Sequence, residues 1–187
     1  MSGREPGSLL GGLFRVRRAA EGDRRALAEM LDRCTGETRY RRFHGHVNVF
    51  PERYLAEALS GSPVHLALVA AADDGAVVAL ASCRTVAAGV AEIGILVEDA
   101  WQRLGIGAFL LSRIVSHSER TGLTVLKAQV LTDQAWITRM LGAHGPCDMA
   151  SSRGVLDVSL RRAMRGRPAA ASDPCQQSID VDLVRPA

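Results

Sequence analysis

VAEIGILVEDAWQRLGIGAFLLSRIVSHSERTG, residues 90–122, decides the reading of this chain. From Val90 to Val97 a run of apolar residues broken by a single charge, Glu92, predicts a buried strand that ends where Glu98 and Asp99 meet solvent. Ile106, Leu110 and Ile114 recur at helical spacing, Ser112, Arg113, Ser116 and Glu119 take the opposite face, and Gly122 supplies the stop. Between strand and helix, Gln102-Arg103-Leu104-Gly105-Ile106-Gly107-Ala108 puts two glycines at the helix start. The first N–H groups of a helix lack intrahelical partners, the dipole adds roughly half a positive charge, and glycine lets an anion approach the main chain. A pyrophosphate suits that turn. The Lys-Ser/Thr pair of a P-loop is missing and the GxGxxG spacing is incomplete, and the bland alternative is a tight strand-to-helix turn.

A length of 187 residues suits one domain with tails, and 47% hydrophobic content at a mean hydropathy of +0.05 is enough to bury a core. The net charge of +3 suits an anionic ligand and falls short of a nucleic-acid binder's footprint. Cys34, Cys83, Cys147 and Cys175 lie far apart without a CxxC pair, which argues against a zinc site and a disulfide framework and for reduced thiols. The stretch 9–14 is too short and glycine-rich for a signal-peptide core, and no apolar run approaches about 18 residues, so a soluble, cytoplasmic protein without a membrane partner is expected.

Residues 1–12 read as a flexible leader, 13–161 as the folded domain, and 162–187, rich in Gly, Pro, Ala and Ser, as a disordered tail. A first strand holds Phe14 and Val16; a helix follows with Asp23 as N-cap and Leu27, Met30 and Leu31 as its buried stripe, stopping near Gly36. Tyr40-Arg41-Arg42-Phe43-His44-Gly45-His46 reads either as a short helix with a solvated basic face or as an acceptor-binding wall; His44 and His46 have no third ligand, so no metal is expected. A helix over 51–59 leads to strands over 64–72 and 76–86 and then to the strand of Glu92. After the central helix come a strand over 123–130, expected to lie parallel to it, a helix from Asp133 to about Ala143, and a last strand over 155–160. The fold class is α/β (α+β).

Gln102, Gly105 and Gly107, as Q-x-x-G-x-G between a strand and an amphipathic helix, resemble the acyl-CoA-binding motif of the GNAT superfamily of N-acyltransferases. The longer phrase AEIGILVEDAWQRLGIG is similar to bacterial GNAT enzymes that acetylate protein lysines, which also have a Tyr-x-Arg-Phe segment like Tyr40 to Phe43. The resemblance implies a GNAT fold, a mixed, mostly antiparallel sheet with a splayed central parallel pair flanked by helices. It further implies acetyl-CoA as co-substrate, held by Ile95, Leu96, Val97, Gln102, Arg103, Leu104, Gly105, Ile106, Gly107, Ala108 and Gln134, the last in place of the family's common asparagine. Tyr40, Arg42 and Phe43 would flank the acceptor.

An amine acceptor is protonated near neutral pH and needs a base. Glu92 is the only ionisable residue in its strand, Ala91, Ile93 and Ile95 would desolvate its carboxylate into a stronger base, and it matches the family's proposed base. The bland reading pairs it with an arginine. The tyrosine that many GNAT enzymes place after the fifth strand as general acid has no counterpart between Asp133 and Gly145. The expected function is therefore N-acetylation of a protein lysine by a monomer or weak dimer, with a small-amine acetyltransferase and a non-catalytic acyl-CoA sensor as alternatives.

Overall fold

The computed structural model describes residues 14–162 and 183–184. In chain order these form β1 (Phe14–Arg18), α1 (Arg24–Arg33), α2 (Gly36–Phe43), α3 (Glu52–Leu59), β2 (His65–Ala72), β3 (Val77–Ala87), β4 (Val90–Val97), α4 (Ile106–Thr121), β5 (Val125–Leu131), α5 (Ala135–Gly142), β6 (Cys147–Ser152), β7 (Val155–Arg161) and β8 (Leu183–Val184). The strands make one sheet in the order β6-β7-β5-β4-β3-β2-β1-β8, antiparallel throughout except at β4–β5. The expected mixed sheet with a central parallel pair is therefore present.

Strand alternation divides the core. Ala91, Ile93, Ile95 and Val97 of β4 point to the face covered by α4, where Ile106, Leu110, Leu111 and Ile114 are buried. Leu96 points the other way, into a second cluster with Leu27, Leu31, Leu55 and Leu59 from α1 and α3. Each fully buried aliphatic side chain contributes about 1.5–3 kcal/mol, so the α4 stripe alone fixes that helix, and with it the glycine turn, against the sheet.

Two sequence expectations need correction. Asp23 stands at the start of α1 without capping it; its carboxylate instead accepts from Arg17 and from the Ala20 N–H. Glu98 and Asp99 are structural rather than solvated charges. Glu98 is buried on Arg33, and Asp99 accepts from the Thr35 N–H and from the Thr35 and Thr38 hydroxyls, tying the start of α2 to the end of β4. Between α5 and the last expected strand lies a further edge strand, β6, whose side chains are mostly exposed, so no apolar alternation marked it. The expected leader lies outside the described residues, as does the expected tail apart from Arg162 and Leu183–Val184, which pair with Phe14 and Arg15. Among the described residues no helix is long and apolar enough to cross a membrane.

His117 on α4 is half-buried, and desolvation, helped by Arg18 and Arg120, pushes its pKa down to about 4. The unfolded chain takes up that proton near 6.5, while the folded chain resists it, so stability should fall as pH drops from about 6.5 to about 4. His65, lowered by burial, adds to the effect. Urea midpoints should decline across this window, and His117→Gln should flatten the decline; an unchanged slope in the variant would contradict the assignment.

Candidate active site

β4 and β5 pair only at Val90↔Val125, Ala91↔Leu126 and Glu92↔Lys127, although β4 continues to Val97 and β5 to Leu131. Past Glu92 the strands part. The Glu98 N–H donates to Val78 O at 2.9 Å, which sets the phase of the β3–β4 ladder: Glu92, Gly94 and Leu96 bond toward β3, while Ile93, Ile95 and Val97 turn their main-chain groups to the gap. A cavity of 1180 Å³ fills the parting and runs from the α4 start to the opposite face of the sheet.

At the α4 end, Gly105 takes the N-cap position with φ 83° and no side chain caps the helix. Gly105 is needed for that left-handed conformation. Gly107 is not: its φ is ordinary, and a Cβ there would meet only Val97 Cγ2, at 4.0 Å. Nothing in the described packing requires glycine at 107, and the space it leaves lies over uncapped helix-start donors, as an entering diphosphate needs. Arg103 and Gln134 also line this cavity.

The opposite face carries the polar groups. Arg84 of β3 stands across from Glu92, and its Nη2 donates to Glu92 Oε2 at 2.8 Å. Lys127 is Glu92's partner on β5. Tyr54 of α3 reaches in from above, its hydroxyl accepting from Arg42 Nη2 at 3.0 Å and donating to Ser82 Oγ at 3.2 Å. Arg41 spans the rim to Asp133.

Glu92 lines the cavity, but not as the desolvated carboxylate expected: its side chain is 54% exposed and ion-paired with Arg84. The neighbours thought to bury it, Ala91, Ile93 and Ile95, point to the α4 face. Of the expected coenzyme residues, Ile95, Leu96, Val97, Gln102, Arg103, Gly105, Gly107, Ala108 and Gln134 line the cavity, Leu96 with its side chain turned into the core, whereas Ile106 is buried in the core and Leu104 is exposed. Gln102 acts as a brace, donating to Val97 O at 3.0 Å and Thr38 Oγ1 at 3.1 Å. Arg42 and Phe43 line the acceptor side; Tyr40 does not. On α2 the residues Thr38, Arg41 and Arg42 share the cavity face, and Tyr40, turned about half a revolution away, is 40% exposed beside His46. Sequence reasoning missed Tyr54 and Ser82.

The acetyltransferase (GNAT) family profile matches residues 25–145. The chain belongs to that family. GNAT acetyltransferases take acetyl-CoA as the acetyl donor, and the gap, the glycine turn and the uncapped α4 start fit it. The fold is similar to the GNAT domain of S. lividans PAT, at TM-score 0.68 and 19% identity over 85% of this chain and 100% of that one. It is also similar to yncA from Salmonella typhimurium, solved with its cofactor acetyl-CoA, at TM-score 0.64 and 18% identity over 86% and 99% of the two chains. A mutant of the cAMP-binding acyltransferase from Mycobacterium smegmatis aligns at 27% identity and TM-score 0.52, over 80% of this chain and 44% of that one. No curated protein sequence matches significantly.

Because Gly107 has room for a side chain in the protein alone, Gly107→Val should fold normally and still weaken coenzyme A binding by tenfold or more, on the order of 1.4 kcal/mol. Calorimetric titration beside a melting curve checks both halves, and unchanged binding would place the diphosphate elsewhere.

Proposed function

We propose that this GNAT domain moves an acetyl group from acetyl-CoA to an amine by direct attack on the thioester, and that the amine enters from the α2–α3 side. The observation that carries the reading is the parting of β4 from β5 beyond Glu92 and Lys127, continuous with the uncapped α4 start. The N–H groups of Ile106, Gly107 and Ala108 would hold the diphosphate, with Arg103 beside them. Ile95 and Val97, facing the gap, would bond the pantetheine arm and supply a donor where negative charge develops on the carbonyl oxygen. The bound acetyl-CoA supplies an activated acyl group and a thiolate leaving group whose free thiol titrates near 8.5, so departure does not demand a strong acid.

Glu92 is the base of this reading. It lies at the mouth of the gap, reachable by an incoming ammonium, and Arg84 fixes one of its oxygens. The acceptor reading shifts from a protein lysine toward a small amine, because Tyr40, one of three residues that supported the lysine reading, faces outward. A non-catalytic acyl-CoA sensor draws support from the Arg84 ion pair on Glu92, which a base must loosen.

Glu92→Gln separates these readings. A catalyst should lose about 100-fold or more in kcat while coenzyme A affinity holds within about twofold. Thiol release from acetyl-CoA across a panel of amines measures this, and a variant as active as the parent would remove Glu92 from the mechanism.

A further inference from the structure

Arg42 extends from α2 into the cavity and lays its guanidinium against β4 at Gly94. A Cβ at Gly94 would fall 2.4 Å from Arg42 Nη2 and 2.5 Å from Cζ. Gly94 does not take a positive φ, so what a side chain there would disturb is the seat of the guanidinium, which would have to move, and not the backbone. Above it, Arg42 Cζ lies 4.9 Å from the Phe43 ring centroid and 5.1 Å from that of Tyr54, and the Tyr54 hydroxyl accepts from Nη2. Two rings, a hydroxyl and a bare strand therefore hold the group in place. Among the described residues no carboxylate pairs with it, whereas its neighbours Arg41 and Arg84 are paired with Asp133 and Glu92. A half-buried, oriented guanidinium without a counter-ion is a receptor for an anion, and its planar fork matches a carboxylate.

We propose that Arg42 binds a carboxylate carried by the acceptor, so that the acceptor is a short amino acid and not a bare amine or a polycation. The proposal rests on the acetyltransferase reading and narrows its substrate class. Spacing supports it: Gly94 follows Glu92 by two residues on the same face of β4, about 7 Å along the strand. An amine at Glu92 and a carboxylate at Arg42 would thus sit at the two ends of a molecule a few bonds long. Lys127, opposite Glu92 and without an ion pair among the described residues, adds positive potential to the same wall and disfavours an acceptor carrying several cations.

Calorimetric titration of the coenzyme A-bound protein with β-alanine and 4-aminobutyrate, and with their primary amides, reads the carboxylate without needing turnover. The acids should bind about tenfold or more tightly than the amides. Arg42→Gln should erase that ratio, and so should Gly94→Ala, which displaces the guanidinium without removing it. Thiol release on the same four amines should show a matching kcat/KM preference. Equal binding of acids and amides by the wild type, or a preference that survives in Arg42→Gln, would overturn the proposal. Acid-selective binding with no thiol release from any of the four would leave the carboxylate receptor standing and count against the acetyl-transfer reading instead.

Discussion

Past Glu92 and Lys127, β4 and β5 give up their hydrogen bonds to one another, and the main-chain groups of Ile93, Ile95 and Val97 face a gap. An unpaired polar group away from water costs about 1–3 kcal/mol, so a parting of this kind persists only where the flanking structure holds it. Here the braces are specific. Gln102 satisfies Val97 O and reaches Thr38, Asp99 anchors the first turn of α2, Arg33 holds Glu98, and Arg41 crosses to Asp133. β5 meanwhile keeps its whole length paired with β7. Each wall is paired along its outer edge, β4 to β3 and β5 to β7, and the opening between them is a property of the fold.

Charge is distributed to match. At the α4 end the chain offers main-chain donors and the positive pole of a helix, a place suited to a diphosphate. Across the sheet a row of side chains runs from strand to strand by direct register: His65, Arg84, Glu92, Lys127, Ser159 and Asp148. Exposed cross-strand pairs of opposite charge contribute only about 0.2–1 kcal/mol each. Their greater effect is positional, since Arg84 orients the Glu92 carboxylate at the mouth of the gap. Arg42 stands over this row, held by aromatic rings and by the absence of a side chain at Gly94.

The central strand, the glycine turn and the helix after it were legible in the sequence because apolar periodicity and glycine punctuation report burial and backbone conformation directly. So was the parallel relation of β4 and β5, which a helical crossover dictates. What the sequence hid was register and direction. Counting back from the Ala88-Gly89 turn would set Thr85 against Glu92; a bulge between Thr85 and Ala87 moves the ladder by one and brings Arg84 there instead. That slip supplies Glu92 with its ion-pair partner, while strand alternation turns Ala91, Ile93 and Ile95 to the other face and leaves the carboxylate half exposed. Tyr40 was misjudged because its helical phase relative to Arg42 matters more than its closeness in sequence. Tyr54 was passed over because α3 returns it to the sheet from a distance that only tertiary structure reveals.

The account depends on coenzyme A lodging on the α4 start and along the free edge of β4, and amide chemical shifts followed during a titration with coenzyme A test this most directly. The amides of Ile106, Gly107, Ala108, Ile95 and Val97 should move most, and the Leu96 amide, bonded toward β3, should move less than its neighbours. Largest shifts on a different face of the sheet, with the α4 start silent at saturation, would contradict it.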